Sequence, residues 1–253
     1  MTMLRRPLSV CMAVYNGELF ILQQISSILP QLAEDDEVII VDDCSSDKSI
    51  SFIESFGDSR IKVVRNRVNK GVVRSFELAI KLARKEVIVL CDQDDVWFSE
   101  KLNRLSAALM ASPSSVVVSD CIVVDEQGAV LASSFFALRG SKPGLVANLL
   151  RNSYLGCAMA FDARIKSVVL PFPKNIRMHD EWIGLVGELA GGVQFLPEPL
   201  FSYRRHAANV TKLQWGGLWF ALRKRFHHAF ALLQRWPAIL AFRKSHLIHQ
   251  STK

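Results

Sequence analysis

The sequence predicts an α/β protein in which helices flank a mainly parallel sheet. Strand-like runs rich in Val and Ile alternate with helix-like segments over the first 110 residues, and each run ends in polar residues. Half of all residues are hydrophobic and 22% are charged. Buried parallel strands are almost continuously apolar because helices cover both faces of such a sheet. The composition suits a globular core and excludes a disordered class.

Strand and helix patterns alternate in order through this first part. Strands are predicted over residues 8–14, 37–41, 61–65 and 86–91. Apolar residues recur at helical spacing over residues 18–32 and 70–84. Asp47 is placed as the N-cap of a further helix that ends at Phe56.

The pattern changes after residue 115. A strand is predicted over 115–124, and a second strand follows a turn at Gln127-Gly128. Further strands are predicted over 157–161 and, as two short pieces around Pro197 and Pro199, over 193–196 and 200–203. Helices are predicted over 145–150 and 182–189. No repeat or low-complexity linker interrupts residues 1–211, which we assign to one domain; residues 212–253 form a helical tail that Pro237 is expected to divide.

Charge and cysteine content limit the classes of protein to consider. The net charge is +7, but ten of the 31 Lys and Arg residues and none of the 24 acids follow Glu198. The basic character therefore belongs to the C-terminal part, which suits an anionic partner. The five cysteines are widely spaced without a CxxC pair, so we expect neither a disulfide framework nor a zinc site, and a reducing compartment fits best. We expect no signal peptide and no spanning helix.

Polar side chains follow each of the first four predicted strands. Tyr15 follows the first strand, Asp43 the second, Asn69 the third, and Asp92 the fourth. A single polar strand end is more often just solvated, but ligands of open α/β sheets bind where such ends meet. Four polar ends favour a binding site at this edge.

The densest group of acids is Asp92-Gln93-Asp94-Asp95. Three carboxylates in four residues repel one another, and a bound divalent cation relieves that repulsion. Mg²⁺ and Mn²⁺ prefer oxygen ligands and often share them with substrate phosphates, which favours a nucleotide-diphosphate site. The alternatives are solvated turn acids or a calcium loop, although the EF-hand pattern is missing.

Two further motifs have both a catalytic and a structural interpretation. Asp180 and Glu181 precede the predicted helix 182–189, where an acid serves equally well as a general base or as a helix cap. Arg204 and His206 follow the last predicted strand, where they suit a diphosphate or an acceptor but also an exposed basic turn.

Taken together, the motifs resemble the family-2 glycosyltransferases over about residues 7–211, most closely a bacterial rhamnosyltransferase-like branch. The resemblance depends on an ordered set of short motifs: Ala13-Val14-Tyr15-Asn16-Gly17, Val41-Asp42-Asp43-Cys44-Ser45-Ser46-Asp47, Asn69-Lys70-Gly71-Val72, Asp92-Gln93-Asp94-Asp95-Val96-Trp97, Gly156-Cys157, His179-Asp180 and Tyr203-Arg204-Arg205-His206. Each motif is weak alone, and their order makes the set specific.

The resemblance implies a GT-A fold with a Rossmann-like nucleotide-binding half, and a role for each motif. The implied residues are Ala13, Tyr15, Asp43, Asn69, Asp92 and Asp95 for the nucleotide sugar, Asp94 for Mg²⁺ or Mn²⁺, Asp180 with Glu181 as the near alternative for the catalytic base, and Gly156, Cys157, Arg204 and His206 for the acceptor or the diphosphate. The implied chemistry is inverting. Cys44 departs from the usual Gly or Ala after the paired acids, which narrows the expected base pocket.

The expected reaction is transfer of a sugar from a nucleotide-diphosphate donor to a hydroxyl of a cell-surface polysaccharide or lipid-linked acceptor. Rhamnose from dTDP-rhamnose is the first guess that the resemblance suggests. Aromatic and basic residues alternate in residues 212–253, which favours peripheral contact with the inner face of the cell membrane from the cytoplasm. The alternative for this tail is an amphipathic helix packed on the enzyme or on a dimer partner.

Two other functions stay open from the residues alone. One is a non-catalytic protein that binds nucleotide sugars or nucleic acid. No nucleic-acid-binding module is recognisable, however, and we expect no nucleic acid to bind. The other is a nucleotidyltransferase, but its usual Gly-rich basic phosphate loop is missing near residues 13–17.

Overall fold

The structure is a computed structural model of the chain. It describes residues 5–111, 114–206 and 218–250, and in the last range the side chains of 225–245. The strands of the described residues are β1 (Leu8–Val14), β2 (Glu37–Asp42), β3 (Ile61–Arg65), β4 (Val87–Cys91), β5 (Val96–Trp97), β6 (Val116–Val124), β7 (Val130–Ala132), β8 (Met159–Asp162) and β9 (Val193–Arg204).

Helices cover both faces of the sheet that these strands form. They are α1 (Ile21–Ile28), α2 (Ser49–Glu54), α3 (Val72–Leu82), α4 (Lys101–Ala111), α5 (Phe135–Arg139), α6 (Leu145–Leu150), α7 (Lys166–Val169), α8 (His179–Ala190) and α9 (Leu218–Gln250). Among the described residues, no helix combines the length and the apolar character that crossing a bilayer requires.

One mixed sheet joins the described strands in the order β3-β2-β1-β4-β8-β6-β9-β5, with β7 paired to β6. The strands β3, β2, β1 and β4 are mutually parallel, whereas β8 runs antiparallel to both β4 and β6. The chain fills one side of β1 first and then crosses to the other side with β4. The loops after β1 and β4 therefore open at the switch point where ligands of α/β sheets bind.

The core follows from the apolar runs that predicted this fold. Every residue of β2 and of β4 is buried. Two helices each contribute an apolar stripe: Ile21, Ile25 and Ile28 from α1, and Phe76, Ala79 and Ile80 from α3. Burying one large aliphatic or aromatic side chain stabilises a fold by about 1.5–3 kcal/mol, so these stripes anchor the helices that frame the switch point.

Two strand predictions are wrong in detail. The pieces predicted around Pro197 and Pro199 form one strand, β9, whose register against β6 shifts between Ser119 and Asp120. Such an irregularity tolerates proline because the missing N–H is not needed there. The strand predicted to begin at residue 157 begins instead at Met159, after a 3₁₀ turn over Gly156–Ala158.

Two helix predictions also need correction. The α8 helix begins at His179 rather than Trp182, and Met178 at its N-cap makes no side-chain capping bond. The two acids therefore lie inside the first turn, where they favour the helix dipole. The N-cap of α2 is Lys48 rather than Asp47, although Asp47 still accepts the Ser49 backbone N–H at 3.0 Å.

The described part of the tail, residues 218–250, forms one continuous helix, α9, with Pro237 inside it. Proline removes one backbone hydrogen bond, and here the helix packs on α6, α7 and α8, which supports it on both sides of that position. The predicted boundary between residues 211 and 212 lies outside the described residues.

Candidate active site

Acids and a thiol from two separate segments meet beside the carboxyl end of β4. Ligand atoms of Asp92, Asp95 and Cys157 all lie within 4.8 Å of one another. Asp92 and Asp95 follow β4, and Cys157 lies in the 3₁₀ turn before β8, which pairs with β4. The pairing of β4 with β8 thus brings together two motifs that are 62 residues apart or more in the sequence.

Burial makes these groups hold their protons unusually tightly. Burial, followed by the charges of Asp94 and Asp180, raises the pKa of Asp92 to about 7. Burial and the charges of Asp94 and Asp92 raise the pKa of Asp95 well above its usual range. Burial and the charges of Asp95 and Asp92 also raise the pKa of the Cys157 thiol, which therefore stays neutral.

The acid cluster, Asp92 and Asp95 beside Cys157, offers the oxygen ligands that a divalent cation needs. Asp95 Oδ2 is buried and has no hydrogen-bond partner, while its Oδ1 accepts the Arg204 backbone N–H at 3.2 Å. Carboxylate oxygens suit Mg²⁺ and Mn²⁺, whereas a neutral thiol suits neither. Asp92 and Asp95 therefore fit such an ion, and Cys157 fits as a hydrogen-bond donor.

Asp94, the acid expected to bind metal, points to a different partner. His206 Nε2 lies 2.7 Å from Asp94 Oδ2, and this hydrogen bond with Asp94 raises the pKa of His206. The imidazole also lies 5.0 Å from the Phe20 ring, measured between ring centroids. The structure thus brings Asp94 and His206 together, a contact that the sequence analysis did not predict, while Asp94 as a metal ligand stays a prediction.

Arg204 holds the loop after β4 that contains Asp94 and Asp95. It is buried, its Nε donates to the Asp94 carbonyl at 3.0 Å, and its Nη1 and Nη2 donate to Glu126 O and Gln23 Oε1. The guanidinium also lies 5.0 Å from the centroid of the Phe20 ring. These contacts give Arg204 a structural task beside the predicted diphosphate contact.

Gln93 joins the loop after β1 to the loop after β4. Its Oε1 accepts the Tyr15 backbone N–H at 2.8 Å and its Nε2 donates to the Tyr15 carbonyl at 3.2 Å. A β-carbon at Gly17 would lie 2.6 Å from Gln93 Oε1, so glycine leaves room for this clamp. The Tyr15 side chain stays 49% exposed and half-buried Ala13 precedes it in β1. Sequence reasoning assigned no role to Gln93, because its hydrogen-bond partner is 78 residues away.

Asp43 organises the neighbouring loop after β3. Its carboxylate accepts from Asn66 Nδ2 at 2.8 Å and from the backbone N–H groups of Lys70 and Gly71 at 2.9 and 2.7 Å. Asn69 is exposed at the same loop, and its Oδ1 accepts the Gly71 N–H at 3.1 Å. Asp43 and Asn69 thus share one edge of the sheet with the acid cluster, and their contact with a nucleotide stays a prediction.

A buried lysine beneath the acid cluster escaped the sequence reasoning. Lys101 Nζ donates to the Cys157 carbonyl at 2.6 Å and lies 3.7 and 4.3 Å from the ring centroids of Phe201 and Trp97. Burial lowers the pKa of Lys101, and the charge of Asp95 acts in the opposite direction. A charged residue at the start of α4 carries no local sign of burial, because its partners lie on β5, β9 and the 3₁₀ turn.

The predicted acid pair lies in the first turn of α8, where Asp180 and Glu181 are both buried. The Asp180 carboxylate accepts the Glu181 backbone N–H at 2.6 Å. His179 stacks on Phe76 with 3.9 Å between ring centroids, and burial lowers the pKa of its imidazole to about 3. A β-carbon at Gly156 would lie 2.8 Å from His179 Nε2, so Gly156 permits the close approach of its turn to the acid pair.

Residues 9–161 match the family model described as Glycosyl transferase family 2. The match covers more than half of the chain, and the chain belongs to this family. The resemblance inferred from the ordered motifs is therefore confirmed at the level of the family. The rhamnosyltransferase-like branch stays a prediction.

Curated bacterial proteins are similar to this chain over different lengths. UDP-Glc:alpha-D-GlcNAc-diphosphoundecaprenol beta-1,3-glucosyltransferase WfgD of Escherichia coli is 30% identical over 149 residues, 59% of this chain and 57% of the relative. The putative teichuronic acid biosynthesis glycosyltransferase TuaG of Bacillus subtilis is 26% identical over 226 residues, 85% of this chain and 87% of the relative. The chain thus spans little more than half the length of WfgD and most of TuaG.

Solved structures support the fold. The crystal structure of S. aureus TarS 1-349 in complex with UDP-GlcNAc superposes with a TM-score of 0.69 at 19% identity, covering 88% of this chain and 66% of that chain. At this identity the likeness concerns the fold alone. The predicted mixed α/β fold of the GT-A type is confirmed.

Proposed function

We propose that this chain is an inverting, metal-dependent glycosyltransferase that moves a sugar from a nucleotide-diphosphate donor to an acceptor hydroxyl. Family membership supports sugar transfer. The observation that carries the proposal is the meeting of acids from two elements. Ligand atoms of Asp92 after β4 and of Cys157 lie within 4.8 Å of each other, and a β-carbon at the neighbouring Gly156 would lie 3.6 Å from Asp180 Cβ in the first turn of α8. The proposed donor-side and acceptor-side acids thus lie beside the same 3₁₀ turn, Gly156–Ala158.

The chemical step follows from the position of the acid pair. The Asp180 carboxylate takes the proton of the acceptor hydroxyl, while that oxygen bonds to the anomeric carbon of the donor sugar. The bond from the anomeric carbon to the diphosphate oxygen breaks at the same time, and the nucleoside diphosphate leaves with the electron pair. Attack opposite the leaving group inverts the anomeric centre. Glu181, next to Asp180, is the alternative base.

Asp92, Asp95 and Asp94 are the residues that would hold Mg²⁺ or Mn²⁺. The ion supplies Lewis-acid stabilisation of the charge on the departing diphosphate. The chain's own part is to fix these carboxylates: Arg204 holds the backbone of Asp94 and Asp95, and His206 holds the Asp94 side chain. Arg204 and His206 also supply positive charge where the diphosphate is expected.

The acceptor proposed is a lipid-linked or cell-surface saccharide, as the names of WfgD and TuaG indicate for those relatives. Rhamnose remains the proposed sugar from the motif resemblance, with glucose as the alternative that the name of WfgD suggests. Ala13, Tyr15, Asp43 and Asn69 are the proposed contacts of the nucleotide, and Gly156 and Cys157 lie on the acceptor side.

Replacing the proposed base separates chemistry from donor binding. Asp180→Asn removes the proton acceptor with almost no change in volume, so we expect turnover to fall by at least about a hundredfold, consistent with the usual worth of a general base. Binding of the nucleotide sugar with Mn²⁺, measured by calorimetry, should stay within about twofold. Turnover near the wild-type level in this variant would contradict the role of Asp180, and Glu181→Gln tests the neighbouring acid in the same assay.

We also propose that α9 rests on the inner face of the cell membrane, with the enzyme in the cytoplasm. Phe226, Phe230 and Leu233 recur at helical spacing and are 73%, 62% and 71% exposed. Arg225, whose Nη2 donates to the Leu150 carbonyl, places this stripe beside exposed Leu150. Because no acid follows Glu198, cations alone flank the apolar stripe, which suits an anionic lipid surface.

Vesicle binding tests this surface. The variant Phe226→Ser with Phe230→Ser should bind vesicles of mixed phosphatidylcholine and phosphatidylglycerol at least about tenfold more weakly than the wild type, because two aromatic side chains leave the interface. Val130→Ser with Leu131→Ser, which changes another exposed apolar pair, is the matched control and should bind as the wild type does. Equal binding by both variants would contradict the proposal, and a concentration-dependent dimer lost only in the first variant would identify a second copy as the occupant.

A further inference from the structure

The helix α9 has a second face that packs against the catalytic domain. Its buried residues are His228, Ala231, Leu232, Ile239 and Phe242. They recur at intervals of three, four and seven residues, which places them along one side of the helix. The α9 helix contacts α7 and also α8, the helix that carries the acid pair Asp180 and Glu181. The tail is therefore part of the packed enzyme as well as a candidate membrane contact.

His228 lies against the acid pair. Its Nε2 is 3.8 Å from Glu181 Oε2, and both side chains are buried. Glu181 directly follows Asp180, and both belong to the first turn of α8. Met178 at the N-cap of that turn makes no side-chain capping bond. The contact from His228 on α9 therefore helps to hold the first turn of α8 in place.

Arg235 makes a second polar contact from the same face, two helical turns further along. Its Nη1 and Nη2 donate to the carbonyls of Leu170 and Pro171, each at 2.7 Å. Its guanidinium lies 5.9 Å from the centroid of the Trp182 ring, and Trp182 Nε1 donates to the Val169 carbonyl at 2.9 Å. Arg235 thus fixes the chain that leads from α7 towards α8.

We propose that His228 and Arg235 are positioning residues that hold the first turn of α8, and with it Asp180, at the acceptor side of the site. The inference rests on the proposed function for the role of Asp180. Two polar side chains of one helix contact the two ends of the segment from Leu170 to Trp182, so α9 sets the place of the catalytic turn. A sugar-transfer base must lie within hydrogen-bond reach of its hydroxyl, and a misplacement of about 1 Å costs up to about a hundredfold in rate.

Hydrogen–deuterium exchange tests the positioning without any substrate. His228→Ala in the full chain should raise the exchange rate of the amides of residues 178–186 at least about fivefold, because the contact that holds this turn is lost. Gln234→Ala, at an exposed position on the same helix, is the matched control and should leave those rates within about twofold. Equal protection of residues 178–186 in both variants would overturn the proposal.

Kinetics supply the second readout. His228→Ala should lower kcat by at least about tenfold while the KM for the donor stays within about twofold, because the contact that is lost is with the acid pair of α8. A loss of kcat matched by an equal loss of donor affinity would show general unfolding and overturn the positioning role. If His228→Ala fails to fold, Arg235→Met removes the second contact and is read in the same two assays.

The two proposals fail in distinguishable ways. A wild-type chain that turns over no nucleotide sugar contradicts the proposed function, whereas the exchange experiment still reports whether α9 holds α8. A double-mutant cycle of His228→Ala with Glu181→Gln adds a direct measure of coupling. Additive effects on kcat would show that the two side chains act independently and would overturn the contact as the cause.

Discussion

Cys44 occupies a backbone conformation that favours glycine, with φ at +71°. At the scale of single residues, the departure from the resembled motif, which has Gly or Ala here, therefore puts a side chain in a strained backbone conformation. A side chain in the left-handed region costs about 1–2 kcal/mol. The Cys44 side chain is exposed, and its Sγ lies 3.9 Å from the Arg67 carbonyl.

Cys44→Gly should therefore stabilise the fold. We expect the free energy of unfolding to rise by about 0.5–1 kcal/mol, because relief of the left-handed strain exceeds the extra chain entropy of glycine in the unfolded state. Cys44→Ala is the control, since it removes the thiol and keeps the strain. Urea denaturation at constant m-value measures both, and a less stable glycine variant would contradict this explanation.

The acids of the site were predictable residue by residue, but their partners were not. Asp92, Asp94, Asp95 and Asp180 stood out because carboxylates cluster at a strand end or a helix start, which is a local signal. Gln23, the Nη2 partner of Arg204, is 181 residues away. Lys101 and His228 likewise become informative only when the fold brings their neighbours together.

At the scale of elements, an ion-pair cluster joins the chain before β1 to β8. Asp162 accepts hydrogen bonds from Arg6 Nη1 at 2.9 Å and from Arg164 Nε at 2.8 Å. Burial alone raises the pKa of Asp162, but the hydrogen bonds from Arg164 and Arg6 outweigh it and lower the pKa to about 2. The folded state therefore binds the proton of Asp162 more weakly than the unfolded chain does.

This depressed pKa predicts how stability changes with pH. The contribution of Asp162 is present above its unfolded pKa of about 4 and is lost as the pH falls through about 2. Asp162→Asn should lower the free energy of unfolding by about 1 kcal/mol at pH 7, after discounting for the exposure of Arg164, and the gap should narrow between about pH 4 and pH 2. A gap that stays constant over that range, in urea titrations at each pH, would contradict the assignment.

Element boundaries were misplaced in the sequence analysis where contacts with distant parts of the chain decide them. The prolines at 197 and 199 are typical strand breakers, yet β9 continues because its register against β6 shifts there. Pro237 does not divide α9, because packing on α6, α7 and α8 supports the helix on both sides. The parallel half was easier to predict because each strand and the following helix are local in sequence.

At the scale of the whole molecule, the two halves of the sheet have different tasks. The parallel strands β3, β2, β1 and β4 carry the candidate donor residues at one edge. The antiparallel half supplies Cys157, and α8 supplies the acid pair. The α9 helix packs against α8 and presents an apolar stripe outward, so the proposed membrane contact and the proposed acceptor side belong to one part of the molecule.

A thermal-shift screen of nucleotide sugars tests the central claim most directly. Wild-type protein and the Asp94→Ala variant are each heated with UDP, GDP and dTDP sugars in Mn²⁺, Mg²⁺ or EDTA. A ligand that binds only the folded state raises the melting temperature by mass action. We predict a shift with one class of donor in the wild type that requires the metal and is lost in Asp94→Ala. No shift with any donor, or an equal shift in EDTA and in the variant, would contradict a metal-dependent donor site at these carboxylates.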